Sequence, residues 1–200
     1  MKLPLSFYQR NDVVQISKEL IGKVLITEIN GFKCSGRIVE TEAYQGPEDR
    51  GSHAFGNRLT PRTENMFKDG GITYVYQCYG IHYLLNVVTS VSNSPHAILL
   101  RGLEPIDGIE TMLFRRKMKN PIPALTAGPG VLAQAMGIDK SHNGISLLGD
   151  KIWIEEPINE TVCYDDIVSS KRVGMNFEGP WHSIPWRFRL KNNLYTSQAR

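Results

Sequence analysis

Two hairpins with very short turns are the feature that most limits how this chain can fold. The first is marked by Asn30-Gly31, a dipeptide that favours a two-residue turn because both residues readily adopt positive φ. Residues 23–29 precede it and are rich in β-branched side chains, and residues 32–44 form the return strand. Strands joined by so short a turn must run antiparallel, because a parallel connection needs about a dozen residues or more.

The second hairpin places a tyrosine at its tip. Residues 72–79 and 82–91 have strand-like composition, and only Gly80-Ile81 separates them, so Tyr79 is expected at or beside the turn. Other segments that predict strands are 96–103, a hairpin over 146–155, and 186–190.

Helical patterns are fewer than strand patterns. In residues 12–21, Val13, Ile16 and Leu20 share one helical face, and Gly22 provides a stop. Two more helices are predicted, one after Pro105 and one over 129–136. With 200 residues, 41% of them hydrophobic, the chain can bury a core of its own. We expect a mixed α/β fold: a single domain over residues 1–200 with a curved, mainly antiparallel β-sheet, flanking helices and a protruding β-hairpin.

The composition argues against several classes of protein. There is no apolar window of about 18 residues, so no membrane span is expected. Three widely spaced cysteines, an odd number, are typical of reduced thiols in an intracellular protein. The five histidines form no known zinc-binding motif, so no metal is expected.

The net charge of +3 comes from the C-terminal part of the chain. Basic residues cluster around Arg115–Lys119, at Lys171-Arg172 and over 187–191. Such clusters contact a phosphate backbone in some proteins and form a solvated face in others, and the charge count does not decide between these two interpretations.

Two glutamates lie within a predicted strand. Regular alternation would place Ile38, Glu40 and Glu42 on one face, so at least one carboxylate is expected to be sheltered from solvent. A sheltered carboxylate beside an aromatic ring suits a general base, and Glu42 with Tyr44 fits best. The structural alternative is that Glu40 or Glu42 only pairs with an arginine across the sheet.

An arginine and a group of tyrosines complete the set of candidates. Arg101 interrupts an apolar run and therefore needs an anionic partner, which is either Glu42 or a bound phosphate. Tyr74, Tyr76, Tyr79 and Tyr83 either pack in the core or serve a nucleic acid. In the second case, a hairpin tyrosine would wedge between stacked bases and the other aromatic rings would grip an extruded base.

Together these residues resemble the alkyladenine (3-methyladenine) DNA glycosylase family. The run E-T-E-A-Y-x-G-P-E-D, followed by His53 and T-P-R, is long and specific. The similarity extends over about residues 18 to 190. It is carried by Gly36–Tyr44, Gly46–Asp49, His53, Thr60–Arg62, Met66–Phe67, Tyr74–Tyr76, Tyr79–Gly80, Asn86, Leu99–Pro105, Gly128–Pro129, Gln134–Ala135 and Arg172–Gly174.

The resemblance implies a set of catalytic residues. Glu42 would be the general base that deprotonates a water attacking C1′ of an extruded nucleotide. Arg101 and the main-chain carbonyl of Val173 would help to place that water. No metal or cofactor is implied.

The resemblance also implies how the substrate would be held. Tyr44, His53 and Tyr76 would enclose the flipped base, and Asn86 would crowd the 2-amino position of a purine. Tyr79 would fill the gap that the base leaves in the duplex.

The implied function is a monofunctional, purine-specific DNA N-glycosylase of base excision repair. Its partner would be double-stranded DNA containing damaged purines, which it would bind as a monomer, with no membrane and no metal. The expected localisation is intracellular and associated with DNA, in the bacterial cytoplasm and nucleoid or in a eukaryotic nucleus. Two alternatives are a catalytically inactive module that binds damaged DNA, and an O-glycoside hydrolase that uses Glu40 and Glu42 as a pair.

Overall fold

A single eight-stranded sheet organises the computed structural model, which describes residues 1–158 and 162–197. Its strands are β1 (Val24–Ile29), β2 (Phe32–Gln45), β3 (Thr73–Cys78), β4 (His82–Thr89), β5 (His96–Asp107), β6 (Ile152–Glu155), β7 (Ile167–Ser170) and β8 (Arg187–Leu190). The main order is β3-β4-β5-β2-β1-β6, and β8 pairs with both β2 and β7. Each of these pairings is antiparallel, which confirms the predicted fold class.

Short helices flank the sheet. They are α1 (Leu5–Tyr8), α2 (Val13–Glu19), α3 (Ile109–Arg116), α4 (Pro129–Met136) and α5 (Pro180–Ser183). The start of α2 is fixed by Asp12, whose carboxylate accepts a hydrogen bond from the backbone N–H of Gln15. The predicted apolar face of α2 is buried in the main hydrophobic core.

Both predicted hairpins are present. Asn30 and Gly31 have φ of 56° and 78°, as a two-residue turn with positive φ requires. In the second hairpin, Cys78 pairs with His82, and the turn between them places Tyr79 and Gly80 at φ of 51° and 74°. The side chain of Tyr79 is 93% exposed, so this hairpin protrudes with its tyrosine in solvent.

The predicted hairpin over residues 146–155 is wrong in its first half. Leu147 is buried in the core, and its backbone N–H donates to the carbonyl of Gly71. This attachment takes the chain away from β6, which pairs with β1 instead. The helix predicted after Pro105 begins at Ile109, because β5 continues through Pro105 opposite Gly36.

An irregularity between β2 and β5 changes which side chains face the core. The register shifts between Ile38 and Glu40 and again between Glu40 and Thr41. Ile38 therefore packs in the main hydrophobic core together with Ala43, and the hydroxyl of Thr41 bonds to Ser17 of α2. The expectation that Ile38 shares a face with the two glutamates is wrong, because a bulge breaks the alternation of a strand.

Among the helices within residues 1–158 and 162–197, none has the length and apolar character needed to cross a bilayer.

Candidate active site

A cavity of about 340 Å³ lies beside β3, β4 and β5 and is closed on one side by residues 173–175. Its wall is formed by strands of the sheet, by loops packed on them, by Met66 of a 3₁₀ helix and by Pro129 at the start of α4. The candidates from the sequence that line this cavity are Tyr44, His53, Tyr76, Tyr79, Asn86, Arg101 and Val173.

Glu42 lies directly behind the cavity wall and is fully buried. The hydroxyl of Tyr44 donates to its Oε2 at 2.7 Å, and the backbone N–H of Val173 donates to its Oε1 at 2.8 Å. Nη1 of Arg101 lies 3.5 Å from Oε2. Because each carboxylate oxygen can accept two hydrogen bonds, this anion is held firmly and retains the capacity to accept a further bond.

Glu40 has a different environment from Glu42. Its Oε1 accepts from Nε of Arg101 at 2.9 Å, from Nε of Arg187 at 2.6 Å and from the hydroxyl of Ser197 at 2.8 Å. Its Oε2 accepts from the backbone N–H of Ser197. Within the part of the chain that the structure describes, Glu40 therefore accepts four hydrogen bonds, whereas Glu42 accepts two and contacts three residues of the cavity wall.

Arg101 lies between the two carboxylates and forms an ion pair with each of them. Glu42, one of the two partners that the sequence left open for Arg101, is therefore in contact with it. Burial alone would lower the pKa of Arg101, but the charges of Glu42 and Glu40 outweigh burial and raise this pKa above its usual value. The guanidinium remains positively charged and is neutralised locally.

His53 forms part of the wall as a neutral ring. Its Nδ1 lies 2.8 Å from the hydroxyl oxygen of Tyr74, and its Nε2 lies 3.3 Å from Nη2 of Arg62. Because arginine has only donors, Nε2 accepts and the proton of the neutral ring lies on Nδ1. Burial, with a smaller contribution from the charge of Arg62, lowers the pKa of His53 to about 4.

The tyrosines of the wall pack edge to face with this histidine or lie beside it. The rings of His53 and Tyr76 are 4.6 Å apart at 78°, and the guanidinium of Arg62 lies 4.8 Å from the centre of the Tyr76 ring. Desolvation raises the pKa of Tyr44 and of Tyr76, and the carboxylate of Glu42 raises both further. Both phenols therefore stay protonated, which keeps Tyr44 a donor to Glu42.

Asn86 and Tyr79 both line the cavity, the first as a buried side chain and the second as an exposed one. Asn86 is buried on β4, and its side-chain amide donates to the backbone carbonyl of Tyr74 at 3.0 Å. Tyr79 extends from the tip of the β3–β4 hairpin at the rim.

The sequence does not single out the pair that supports this wall from behind. Arg172 makes two hydrogen bonds to the carboxylate of Asp49, and both side chains are buried. Arg172 and Arg187 stand in basic clusters of the sequence, which suggested contact with phosphate or solvent, but both are buried and bonded internally. For Arg172 the sequence does contain one indication of a role at the site, because this residue directly precedes Val173 in the R-V-G motif.

Metal ligands are not grouped in the described part of the chain. Within residues 1–158 and 162–197, no three His, Cys, Asp or Glu side chains are placed to hold one ion.

Comparisons with known proteins agree with one another. A family model described as "Methylpurine-DNA glycosylase" matches residues 6–194. A "Putative 3-methyladenine DNA glycosylase" of Clostridium acetobutylicum is 44% identical over 204 residues, with 98% of each chain covered. Proteins with the same name from Natranaerobius thermophilus and Chlamydia felis are 45% and 43% identical, covering 98% and 94% of this chain and 99% and 95% of the relatives.

The neutral state of His53 predicts how stability changes with pH. Its pKa of about 4 in the folded protein lies below the usual 6.5, so its contribution to stability is complete above pH 6.5 and is lost as pH falls towards 4. In His53→Asn, which does not titrate, this loss should be absent. The free energy of unfolding of the parent protein should therefore fall relative to the variant across that pH window, as measured by urea denaturation.

Exposed His182 provides the control for this experiment. His182→Asn should show the same pH dependence as the parent protein. Parallel stability curves for His53→Asn and the parent protein would contradict the assignment of a neutral His53.

Proposed function

This chain belongs to the methylpurine-DNA glycosylase family and is a DNA repair glycosylase, and from that premise we propose that it releases damaged purines from duplex DNA by hydrolysis. The observation that carries the proposal is the buried carboxylate of Glu42, held by Val173 and Tyr44 directly behind an aromatic cavity. The volume of that cavity is typical of a site for a small molecule or a base.

The proposed reaction begins with extrusion of the damaged nucleotide into the cavity. Tyr44, His53 and Tyr76 enclose the base, and C1′ of its sugar comes to lie near Glu42. The carboxylate of Glu42 takes a proton from a water that Arg101 and the carbonyl of Val173 help to place. The water oxygen bonds to C1′ as the C1′–N bond breaks. The electron pair of the C1′–N bond leaves with the base, so that an abasic site remains.

Electrostatics favour this division of roles. Positive charge develops on the sugar in an oxocarbenium-like transition state, and the fixed carboxylate of Glu42 stabilises that charge. An alkylated purine is itself cationic, and aromatic faces attract a cation by about 0.5 to 2 kcal/mol per contact. Because His53 is neutral, it adds no repulsion to this wall.

Extrusion of the base is the role proposed for Tyr79. A bulky, exposed ring on a rigid hairpin can enter the space that the base leaves, as apolar wedges do in other proteins that bend DNA. Damaged pairs cost less to unstack, so extrusion itself selects for lesions.

A second candidate function is a damaged-DNA-binding module that does not cleave. The observation that favours it is the full burial of Glu42, whose carboxylate stands one layer behind the cavity surface. The paired-carboxylate O-glycosidase is disfavoured because Glu40 is buried and accepts four hydrogen bonds from Arg101, Arg187 and Ser197.

The remaining parts of the proposal concern how the protein acts. We propose a purine-specific, monofunctional enzyme in which residues 1–200 form one glycosylase domain. It would act as a monomer, without metal or cofactor, on DNA inside the cell, in the bacterial cytoplasm and nucleoid or in a eukaryotic nucleus.

Glu42→Gln tests the general base and separates the two candidate functions. The amide keeps the shape of the side chain but cannot take the proton, so single-turnover base release should fall by about 10²- to 10⁴-fold. Binding to a duplex with one hypoxanthine, measured by fluorescence anisotropy, should be retained. Glu28→Gln, an exposed change on β1, is the control and should leave release unchanged. If Glu42→Gln released base at the parental rate, Glu42 would not be the base.

Tyr79→Ala tests the wedge. Loss of the ring should weaken capture of a damaged duplex, because the vacated space in the stack is no longer filled. The measurement is the dissociation constant for a duplex with one modified purine, and Tyr79→Phe, which keeps the ring, should bind like the parent protein. Equal capture by the alanine variant would remove Tyr79 from this role.

Asn86→Ser tests how normal guanine is excluded. A shorter side chain at this buried position leaves room for the 2-amino group, so release of guanine relative to hypoxanthine should rise. The ratio of the two single-turnover rates is the readout, with Asn120→Ser on the surface as the control. An unchanged ratio would count against the role of Asn86.

A further inference from the structure

The segment that carries Val173 has no regular secondary structure of its own. It connects β7 to α5, and Val173, Gly174 and Met175 line the cavity. The N–H of Val173 nevertheless donates to Glu42 at 2.8 Å, which requires this part of the backbone to be held accurately. Contacts with the rest of the fold must hold this segment in place, because a loop without ladder hydrogen bonds is free to shift.

The side chain of Arg172 supplies that attachment. Its Nη2 donates to Oδ1 of Asp49 at 2.8 Å and to the carbonyl of Trp181 at 3.1 Å. Its Nη1 donates to Oδ2 of Asp49 and, at 3.0 Å, to the carbonyl of Ala43. One guanidinium therefore ties the loop to β2, to the loop after β2 and to α5.

The same guanidinium also supports the second donor to Glu42. Its central carbon lies 4.7 Å from the centre of the Tyr44 ring and 5.6 Å from that of Trp186. The hydroxyl of Tyr44 donates to Glu42 at 2.7 Å. Both close donors to Glu42, the Val173 amide and the Tyr44 hydroxyl, thus rest on Arg172.

Stability alone does not account for a pair of this kind. Two charges removed from water are often no more stabilising than apolar side chains of the same volume, so a buried pair is a weak argument for stability. A planar fork that bonds a carboxylate through two parallel contacts fixes direction as well as distance. The space is also closely filled, since a Cβ at Gly51 would lie 2.9 Å from Nη2 of Arg172.

We propose, resting on the base-release function above, that Arg172 gripped by Asp49 is a positioning residue for the hydrolytic step. Its fork keeps the Val173 amide and the Tyr44 hydroxyl on the carboxylate of Glu42. It acts through these two groups and does not itself contact the substrate.

Arg172→Lys tests the proposal because lysine keeps the positive charge but cannot form the two parallel bonds. Single-turnover release of hypoxanthine from a duplex should fall by about 100-fold, the loss that follows from a misplacement of about 1 Å at a reacting group. Affinity for a duplex with a tetrahydrofuran abasic analogue should be unchanged. The amide of Val173 should lose protection from hydrogen exchange.

Arg115→Lys is the matched control. Arg115 is a partly buried arginine that bonds to the carbonyl of Ala135, away from the cavity. Arg115→Lys should lower stability at most. Its rate of base release and the hydrogen-exchange protection of its Val173 amide should equal those of the parent protein.

Other outcomes would overturn the proposal. If Arg172→Lys released base at the parental rate, or if rate and affinity fell together in proportion to the unfolded fraction, the residue would be merely structural. If Arg172→Lys does not fold, Asp49→Asn takes its place in the same assay. The Asp49 variant leaves the bonds of Arg172 to Ala43 and Trp181 in place. If the parent protein releases base and Arg172→Lys releases it at the same rate, only this inference is defeated. If the parent protein releases no base, the proposed function is defeated as well.

Discussion

Neutralisation of two buried carboxylates by two buried guanidiniums is the constraint on which the rest of this structure depends. Glu40 and Glu42 are two residues apart on β2 and fully buried, and they share Arg101, while Arg187 forms an ion pair with Glu40. Removing one member would leave an unpaired charge in the protein interior, which costs far more than the net value of the pair. The arrangement is asymmetric, because Glu40 accepts four hydrogen bonds from Arg101, Arg187 and Ser197, while Glu42 accepts two, from Tyr44 and Val173. Glu40 thus fixes Arg101, and Arg101 in turn stands beside Glu42 at the cavity wall.

The sequence predicts the local features of this fold better than the features that depend on distant partners. The Asn30-Gly31 turn and helix α4, which runs from Pro129 between two glycines, follow from signals within a few residues. The irregularity near Ile38 arises where β2 meets β5, about 60 residues further along the chain, and no alternation pattern within β2 reveals it. Arg172 resembles a surface charge for the same reason, since its partner Asp49 is 123 residues away. The residues of the candidate site were predicted through the resemblance to a family, and the pair behind them was not.

The charges around the cavity are arranged so that its aromatic wall carries little net positive charge. Arg101 is neutralised by Glu40 and Glu42, and Arg172 by Asp49. Arg62 lies against Tyr76 and His53 but does not line the cavity, and its charge helps to keep His53 neutral. A cationic base would therefore meet ring faces and phenol groups, which attract it, without facing an unneutralised cation. This arrangement is compatible with the proposed binding of an alkylated purine at a wall close to three arginines.

The three contacts of Glu42 differ in length. Its bonds to Tyr44 and Val173, at 2.7 and 2.8 Å, are short, whereas its contact with Arg101 is 3.5 Å. A contact of that length is a weak ion pair and does not admit a water between the two atoms, so a water bonded to both would lie to one side of it. Arg101 lines the cavity together with Tyr44 and Val173, so all three partners of the carboxylate belong to the cavity wall. The two short bonds fix the carboxylate in place, and the role of general base proposed for Glu42 requires a water to reach it beside the longer contact with Arg101.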